Sequence, residues 1–426
     1  MKQILKILPG RMSCRHKIYG GENTIVQSLG EGIWTILDCA WKTARFLTIT
    51  FQRNALFVKR HGSLLPGFCV WPLQSCLNDS RASSSLAWFF TFQKREDQMG
   101  YLTRPSAARL KQIHNRQDNP GWGKDYVPAI KATREEAPSG SRPALTYSGK
   151  LQRDVHTLSK VETETLLIGL YCPKVFDLHE ERMLAYLPCT HPLAVHPRTR
   201  HLSWPNSRGT LAAAEELSAL RCHPTIKVAD PEFDGELMEI PFPLIGDFLW
   251  FLEDKDGCYC VNWTIKGSRE DFAIKSHFSS PVIPTTKAAS AAWKASMRHG
   301  VEEIYYSDFG IRTQRITRDD YSRDLANNLS QIFGWIYRPV TLPMAAQKKI
   351  LNWLRLALSS GIPPFQMWSE LASTEQLYLD DVKYVMYRSI WERQLKVDLF
   401  QPIHIDWPLL PEKRDVLDVY AEWFRR

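Results

Sequence analysis

The sequence predicts an α/β fold, a mixed sheet flanked by helices and followed by a mostly helical C-terminal part. Three observations lead there. A capped helical segment opens at Ser159, two β-rich runs flank a polar turn at 253–257, and helical spacing dominates after residue 319.

The chain has 426 residues, of which 44% are hydrophobic, 12% aromatic and 23% charged, enough to bury real cores. No uncharged run reaches the roughly 18 to 20 residues that span a bilayer. The N-terminal residues carry Lys2 and Lys6 but lack the extended apolar stretch of a secretory signal. The nine cysteines are odd in number and scattered, which reads as thiols in a reducing compartment. The expectation is a soluble cytoplasmic protein with no membrane partner.

The net charge of +8 is unevenly distributed. Residues 1–98 hold 13 Lys/Arg against 6 Asp/Glu, residues 99–160 hold 11 against 5, and the remainder holds 30 against 35. A phosphate-binding surface is therefore expected N-terminal to residue 160. The stretch 1–98 shows little sustained period and receives no fold. It reads either as a basic DNA-contacting extension or as upstream translation with Met99 as the true start.

From there a short basic helix is expected over Ser106–Gln117, followed by loops 119–128, 138–143 and 147–153 that carry Lys124, Arg142, Lys150 and Arg153 as candidate DNA contacts. Ser159-Lys-Val-Glu162 fits a capping box, so a helix is expected to run to about Tyr171 and stop before Pro173. Val175–Leu178 reads as a short strand, 185–210 as an irregular insertion punctuated by Pro188, Pro192 and Pro197, and Thr210–Leu220 as an alanine-rich helix.

Leu244–Phe251 and Cys258–Lys266 flank Glu253-Asp-Lys-Asp-Gly257 and read as a hairpin. A turn centred near 255–256 makes antiparallel partners sum to about 511. That register sets Thr264 opposite Asp247, with Lys266 one same-face step further, so the three project from one face. A helix Lys287–His299 with Gly300 as its C′ residue and a strand Val301–Ser307 complete the layer.

Phosphodiester hydrolysis needs a deprotonated water, in-line approach and relief of charge on the leaving oxygen; carboxylate-held divalent ions supply all three. Asp247 would bridge Mg²⁺ ions, Glu162 would complete one site, and Lys266 would position the nucleophile or stabilise developing charge. Each residue also has a structural reading. Glu162 serves as the N3 partner of Ser159, Asp247 as a turn-proximal surface acid, and Lys266 as the cap of a solvated strand end. Cys189, His191, His196, His201, Cys222 and His223 lack the pairwise spacing of a closed zinc site, and Cys258 with Cys260 suits a packed face.

The ordered blocks Gly123–Pro128, Ser139–Arg142, Gly149–Arg153, His156–Glu162, Gly246–Phe248 and Thr264–Lys266 resemble the TnsA family, the end-cutting endonuclease subunit of heteromeric cut-and-paste transposases. The likeness spans roughly residues 99 to 310. It implies a restriction-endonuclease-like catalytic domain over 156–310, behind a basic segment 99–155. It also implies Mg²⁺, with Mn²⁺ as substitute, and 5′-strand cleavage at transposon ends in the bacterial cytoplasm, nucleoid-associated in function. An integrase-type transposase subunit and an AAA+ ATPase regulator are the implied partners, the latter engaging the C-terminal region. Glu162, Asp247 and Lys266 fall on the family's catalytic acids and lysine. Thr264 stands where the family often has glutamine, which moves metal ligation towards the Ile265 carbonyl. The insertion at 185–205 and the acid-free run 288–294 depart from the pattern. Two rivals are a scaffold whose site has decayed and a stand-alone restriction-type nuclease.

Over 311–426, helices are expected at Asp319–Tyr337, Met344–Ser359, Pro363–Leu371 and about 373–391, with a hairpin around Gln401-Pro402. Helices followed by a hairpin suggest a winged-helix-like domain. Lys383, Arg388 and Arg393 are then either readers of DNA or ordinary solvated charges.

Overall fold

The computed structural model describes residues 105–229, 236–272, 287–340, 342–375 and 377–426, and before them only the backbone of short strands. Met1–Asp97 and Gln98–Arg426 form separate compact units. In the first, Leu47–Gln52 pairs antiparallel with Ala55–Arg60. The expectation of a start at Met99 falls outside the described residues.

In the second unit, Ser106 caps α1 (Ala107–Gln117) by accepting the Arg109 amide at 3.2 Å. A hairpin of β1 (Ala144–Ser148) and β2 (Arg153–Thr157) leads into α2 (Lys160–Tyr171). Then come β3 (Val175–Leu184) and α3 (Thr210–Glu216), followed by a second hairpin of β4 (Thr225–Ala229) and β5 (Leu237–Pro241). The central elements are β6 (Leu244–Asp254), β7 (Gly257–Lys266), α4 (Lys287–Asp308) and β8 (Arg312–Thr317). Helices α5 (Arg323–Ile336), α6 (Met344–Ser360), α7 (Pro364–Glu375) and α8 (Leu379–Trp391) follow.

The main sheet runs β3-β6-β7-β8, antiparallel except for the parallel pair β7–β8, so it is mixed and flanked by helices. The expected hairpin register is present: Phe248 pairs with Trp263 and Asp254 with Gly257. Strand alternation divides the core between two faces. Phe248, Trp250, Leu252, Trp263 and Ile265 pack with α2 and the C-terminal helices, whereas Leu249, Phe251 and Cys260 pack with Val301, Tyr305 and Phe309. Gly169 lets α2 lie against the sheet, because an added methyl there would overlap the Trp250 indole.

Several expectations are corrected. Gly300 does not end its helix, and Val301–Ser307 is not a strand. Trp293, Met297, Val301 and Tyr305 recur every four residues and are all buried, so the helical period passes through the glycine, and the strand is Arg312–Thr317 instead. Val175–Leu178 continues to Leu184 because the whole length pairs with β6, with a bulge near Val175. The β4–β5 hairpin was not anticipated at all.

The hairpin around Gln401-Pro402 does not form; one isolated pairing, Val397 with Pro411, is present. The Asn328 side chain of α5 takes the backbone groups that a hairpin would have paired. Its Nδ2 donates to Leu399 O (2.9 Å) and Gln401 O (2.7 Å), and its Oδ1 accepts from Ile403 N (3.1 Å). The boundary expected at 310/311 is no break in packing either. One apolar cluster runs from Leu151 through Trp263 to Phe424, and Trp263 Nε1 donates to Trp423 O at 2.7 Å. Among the described residues no helix is long and apolar enough to cross a membrane.

Candidate active site

The hairpin register extends by one step to bring Asp247 opposite Thr264, and the side chains follow. Asp247 Oδ2 accepts the Ile265 amide at 2.6 Å and the Lys266 ammonium at 3.1 Å, while that ammonium also donates to Ile265 O at 2.8 Å. Burial of the ammonium pulls its pKa down, but the charges of Asp247 and Glu302 outweigh this and hold it above the usual lysine range.

Glu162 arrives from the first turn of α2. Ser159 caps that helix: its Oγ accepts Glu162 N (3.1 Å) and donates to Glu162 Oε1 (2.7 Å), and Leu158 N donates to Oε2 (2.6 Å). The capping reading is therefore realised, and it coexists with membership of the cluster. Burial first, then the Asp247 charge, pushes the Glu162 carboxyl upward against the pull of these donors and of Lys266. Glu162, Asp247 and Lys266 thus share one electrostatic neighbourhood.

Two further acids, absent from the sequence-based expectation, join them. Glu302 on α4 is 3% exposed, and its Oε1 accepts from Thr264 Oγ1 (2.9 Å) and Asn262 Nδ2 (3.0 Å). Thr264 therefore acts as a donor that fixes Glu302. A Cβ at Gly246 would press on Leu184 Cδ1 at 3.1 Å, beside Glu302. Burial, then Asp247, raises the Glu302 carboxyl. The four-residue spacing through Gly300 was the signal that would have extended α4 and found it. Glu181 is 5% exposed and lies between the paired Glu180/Phe248 and Arg182/Gly246, hence across from Asp247. Burial, then Glu162 and Asp247, raises it well above the carboxylate range. No sequence signal marks it, because the β3–β6 register is set over a long range.

Carboxylate oxygens and a backbone carbonyl are the donor types that a hard divalent cation takes. Among the described residues no three His, Cys, Asp or Glu side chains already converge to hold an ion. Mg²⁺ requires fewer, since it is held through one or two carboxylates together with waters and substrate phosphate.

The expected DNA contacts divide. Lys124 and Arg142 are exposed. Lys150 is exposed along its stem, but its ammonium turns back onto Leu170 O (2.8 Å) and Cys172 O (2.7 Å) at the C-terminal end of α2, and burial lowers its pKa to about 8. Arg153 is buried in a bidentate pair with Glu180 at 2.6 and 2.7 Å and also donates to Leu178 O. Both cationic ends are thus engaged within the protein.

The charges proposed for a recognition helix are similarly engaged, Arg388 with Glu392 at 2.7 Å and Arg393 with Asp415. The histidines of the insertion hold its loop, His191 accepting Leu193 N at 3.0 Å and stacking on Trp204, and His196 accepting Arg198 N at 3.2 Å.

No family model matches the chain, and no curated protein matches it.

Proposed function

We propose that the chain is a divalent-cation-dependent DNA endonuclease that cuts the 5′ strands at transposon ends, a TnsA-like subunit working beside an integrase-type transposase and an AAA+ ATPase. The observation that carries this reading is the convergence of the Ile265 amide and the Lys266 ammonium on Asp247 Oδ2, with the Glu162 carboxyl in the same buried field. The order α2, β3, β6, β7, α4, β8 supports a restriction-endonuclease-like core. For a winged-helix-like C-terminal part the support is the helices alone.

In this reading Asp247, Glu162 and the Ile265 carbonyl would hold Mg²⁺ or Mn²⁺. The bound cation would lower the pKa of water and neutralise charge on the scissile phosphate. Lys266 keeps its proton at the working pH, held by Asp247 and Glu302, and places that positive charge where the attacking and leaving oxygens develop negative charge. Glu302 and Thr264 set the position of β7 against α4, so the Lys266 stem is aimed by two neighbours. Exposed Lys124 and Arg142 give phosphate contacts whose effect on affinity falls with salt. The C-terminal helices offer the protein-contact surface for the ATPase.

The test is incubation of the chain, together with its transposase partner, with end-bearing duplex DNA in Mg²⁺ and in chelator. Cation-dependent breaks in the 5′ strands support the reading, and equal products in both conditions sink it. A scaffold reading has one observation in its favour: both Glu162 oxygens already serve the helix cap. It requires that cation leave the protein's thermal stability unchanged.

A further inference from the structure

Arg298 is a cation at the edge of the candidate active site to which no acid is paired among the described residues. It lies on α4 one turn before Glu302, and its side chain is exposed. One arm of the guanidinium is in use: Nη2 donates to Ile245 O at 2.7 Å. Ile245 stands two residues before Asp247 in β6, so this bond tethers the cation to the strand that carries the central acid. The anchor is a neutral carbonyl, which leaves the positive charge uncompensated.

The surroundings do not supply a counter-charge. Asp247 is taken by the Lys266 ammonium, and Glu302 by Thr264 and Asn262. Burial pushes Glu181 and Glu302, the acids whose field reaches Arg298, towards their neutral forms. Arg298 and Lys266 are close enough that their charges oppose each other. The sequence leading to Arg298 is basic as well: 273–301 carries Lys275, Lys287, Lys294 and Arg298 and no Asp or Glu. Two like charges held at one edge, one of them exposed, are relieved by an anion that reaches both. A guanidinium has five N–H donors, and those that Ile245 does not use match two oxygens of a phosphate.

We propose that Arg298 is a DNA-binding residue of this site, its guanidinium anchored by Ile245 O and taking a backbone phosphate of the strand that lies across Asp247 and Lys266. The proposal rests on the endonuclease reading above and adds to it a substrate contact supplied by α4. The contact is to phosphate alone, so it carries no base preference.

The test is binding of the full chain to a fluorescein-labelled DNA duplex, read by anisotropy in chelator over a range of salt. Wild type is compared with Arg298→Gln, Arg298→Lys and the exposed control Arg200→Gln. One phosphate contact contributes about 0.9 to the slope of log affinity against log salt. R298Q should lose that part of the slope and bind roughly eightfold more weakly than wild type at about 0.1 M salt, matching it near about 1 M. R298K keeps the charge and should recover the slope, yet bind more weakly than wild type because an ammonium lacks the two-pronged edge. R200Q should match wild type throughout. A residue that acted only through packing would leave the slope unchanged and would not be rescued by lysine. A wild-type slope in R298Q therefore overturns the proposal. Mg²⁺-dependent 5′-strand breaks, measured on the same proteins with the transposase partner, separate this from failure of the site. If wild type cuts while R298Q keeps the wild-type slope, the Arg298 contact alone is wrong. If R298Q loses slope but wild type never cuts, the phosphate contact stands and the endonuclease reading falls. A wild type that does not bind duplex overturns both.

Discussion

The Lys266 ammonium stands 3.1 Å from Asp247 Oδ2, on an oxygen that also accepts the Ile265 amide at 2.6 Å. One carboxylate oxygen is thereby fixed by two donors from the adjacent strand, and the ammonium is fixed in turn by Ile265 O. Replacing Lys266 with methionine keeps the stem but removes the charge. Cleavage should fall by on the order of 100-fold or more, as when a positioned charge-stabilising donor is lost. Circular dichroism should remain native, since the residue lies at a strand end, and single-turnover rates on cleavable duplex read the effect.

The buried acids make metal-free stability pH-dependent in a defined direction. Glu162 and Glu302 have folded pKa values raised above 4.5 by burial and by Asp247. Their contribution is fully present below 4.5, the unfolded value, and is lost as pH rises through the raised folded values. Unfolding temperatures measured in chelator should therefore decline over that window. Glu302→Gln keeps an acceptor for Thr264 and Asn262, and it should flatten the decline; an unchanged slope would contradict the assignment.

Glu136 behaves in the opposite sense. Burial would raise it, but Arg116 at 2.7 and 2.8 Å, the Lys131 amide and Arg109 together lower it to about 2. Its stabilisation is present above 4.5 and lost as pH falls towards 2. Glu136→Gln should cost about 3 kcal/mol at neutral pH, from a shift of that size and roughly 1.4 kcal/mol per unit. Chemical denaturation at neutral and acid pH checks it, and the difference from wild type should shrink in acid.

Gly169→Ala tests the packing that seats α2, and with it Glu162, on the sheet. The added methyl overlaps the Trp250 ring, so the helix must shift. A loss of roughly 1 to 3 kcal/mol is expected, the usual effect of overfilling a packed core. A thermal midpoint equal to that of wild type would show that the contact yields easily.

Much of the site was legible because it rests on local rules. Ser106 and Ser159 cap their helices, and the turn before Gly257 sets a register that carries Asp247, Thr264 and Lys266 to one face. What escaped rests on long-range packing. Val301–Ser307 is a short apolar run that reads equally as strand or helix, and burial against Leu249 and Phe251 decides for helix, bringing Glu302 inward. The hairpin near Gln401 is replaced because Asn328, over 70 residues earlier, satisfies its backbone. Arg153 looked like a phosphate contact until Glu180, on a different strand, claimed it. Glu181 adopts its left-handed backbone only in the context of the β3–β6 pairing.

The central claim is that these carboxylates and Lys266 hydrolyse DNA strands. Strand-resolved mapping of ends, on duplex DNA bearing the transposon end with the partner transposase and Mg²⁺, tests it most directly in wild type against Asp247→Ala. The account predicts discrete 5′-strand breaks with wild type and none with the variant, while 3′-strand cutting by the partner persists. Undiminished 5′-strand breaks with Asp247→Ala would contradict it.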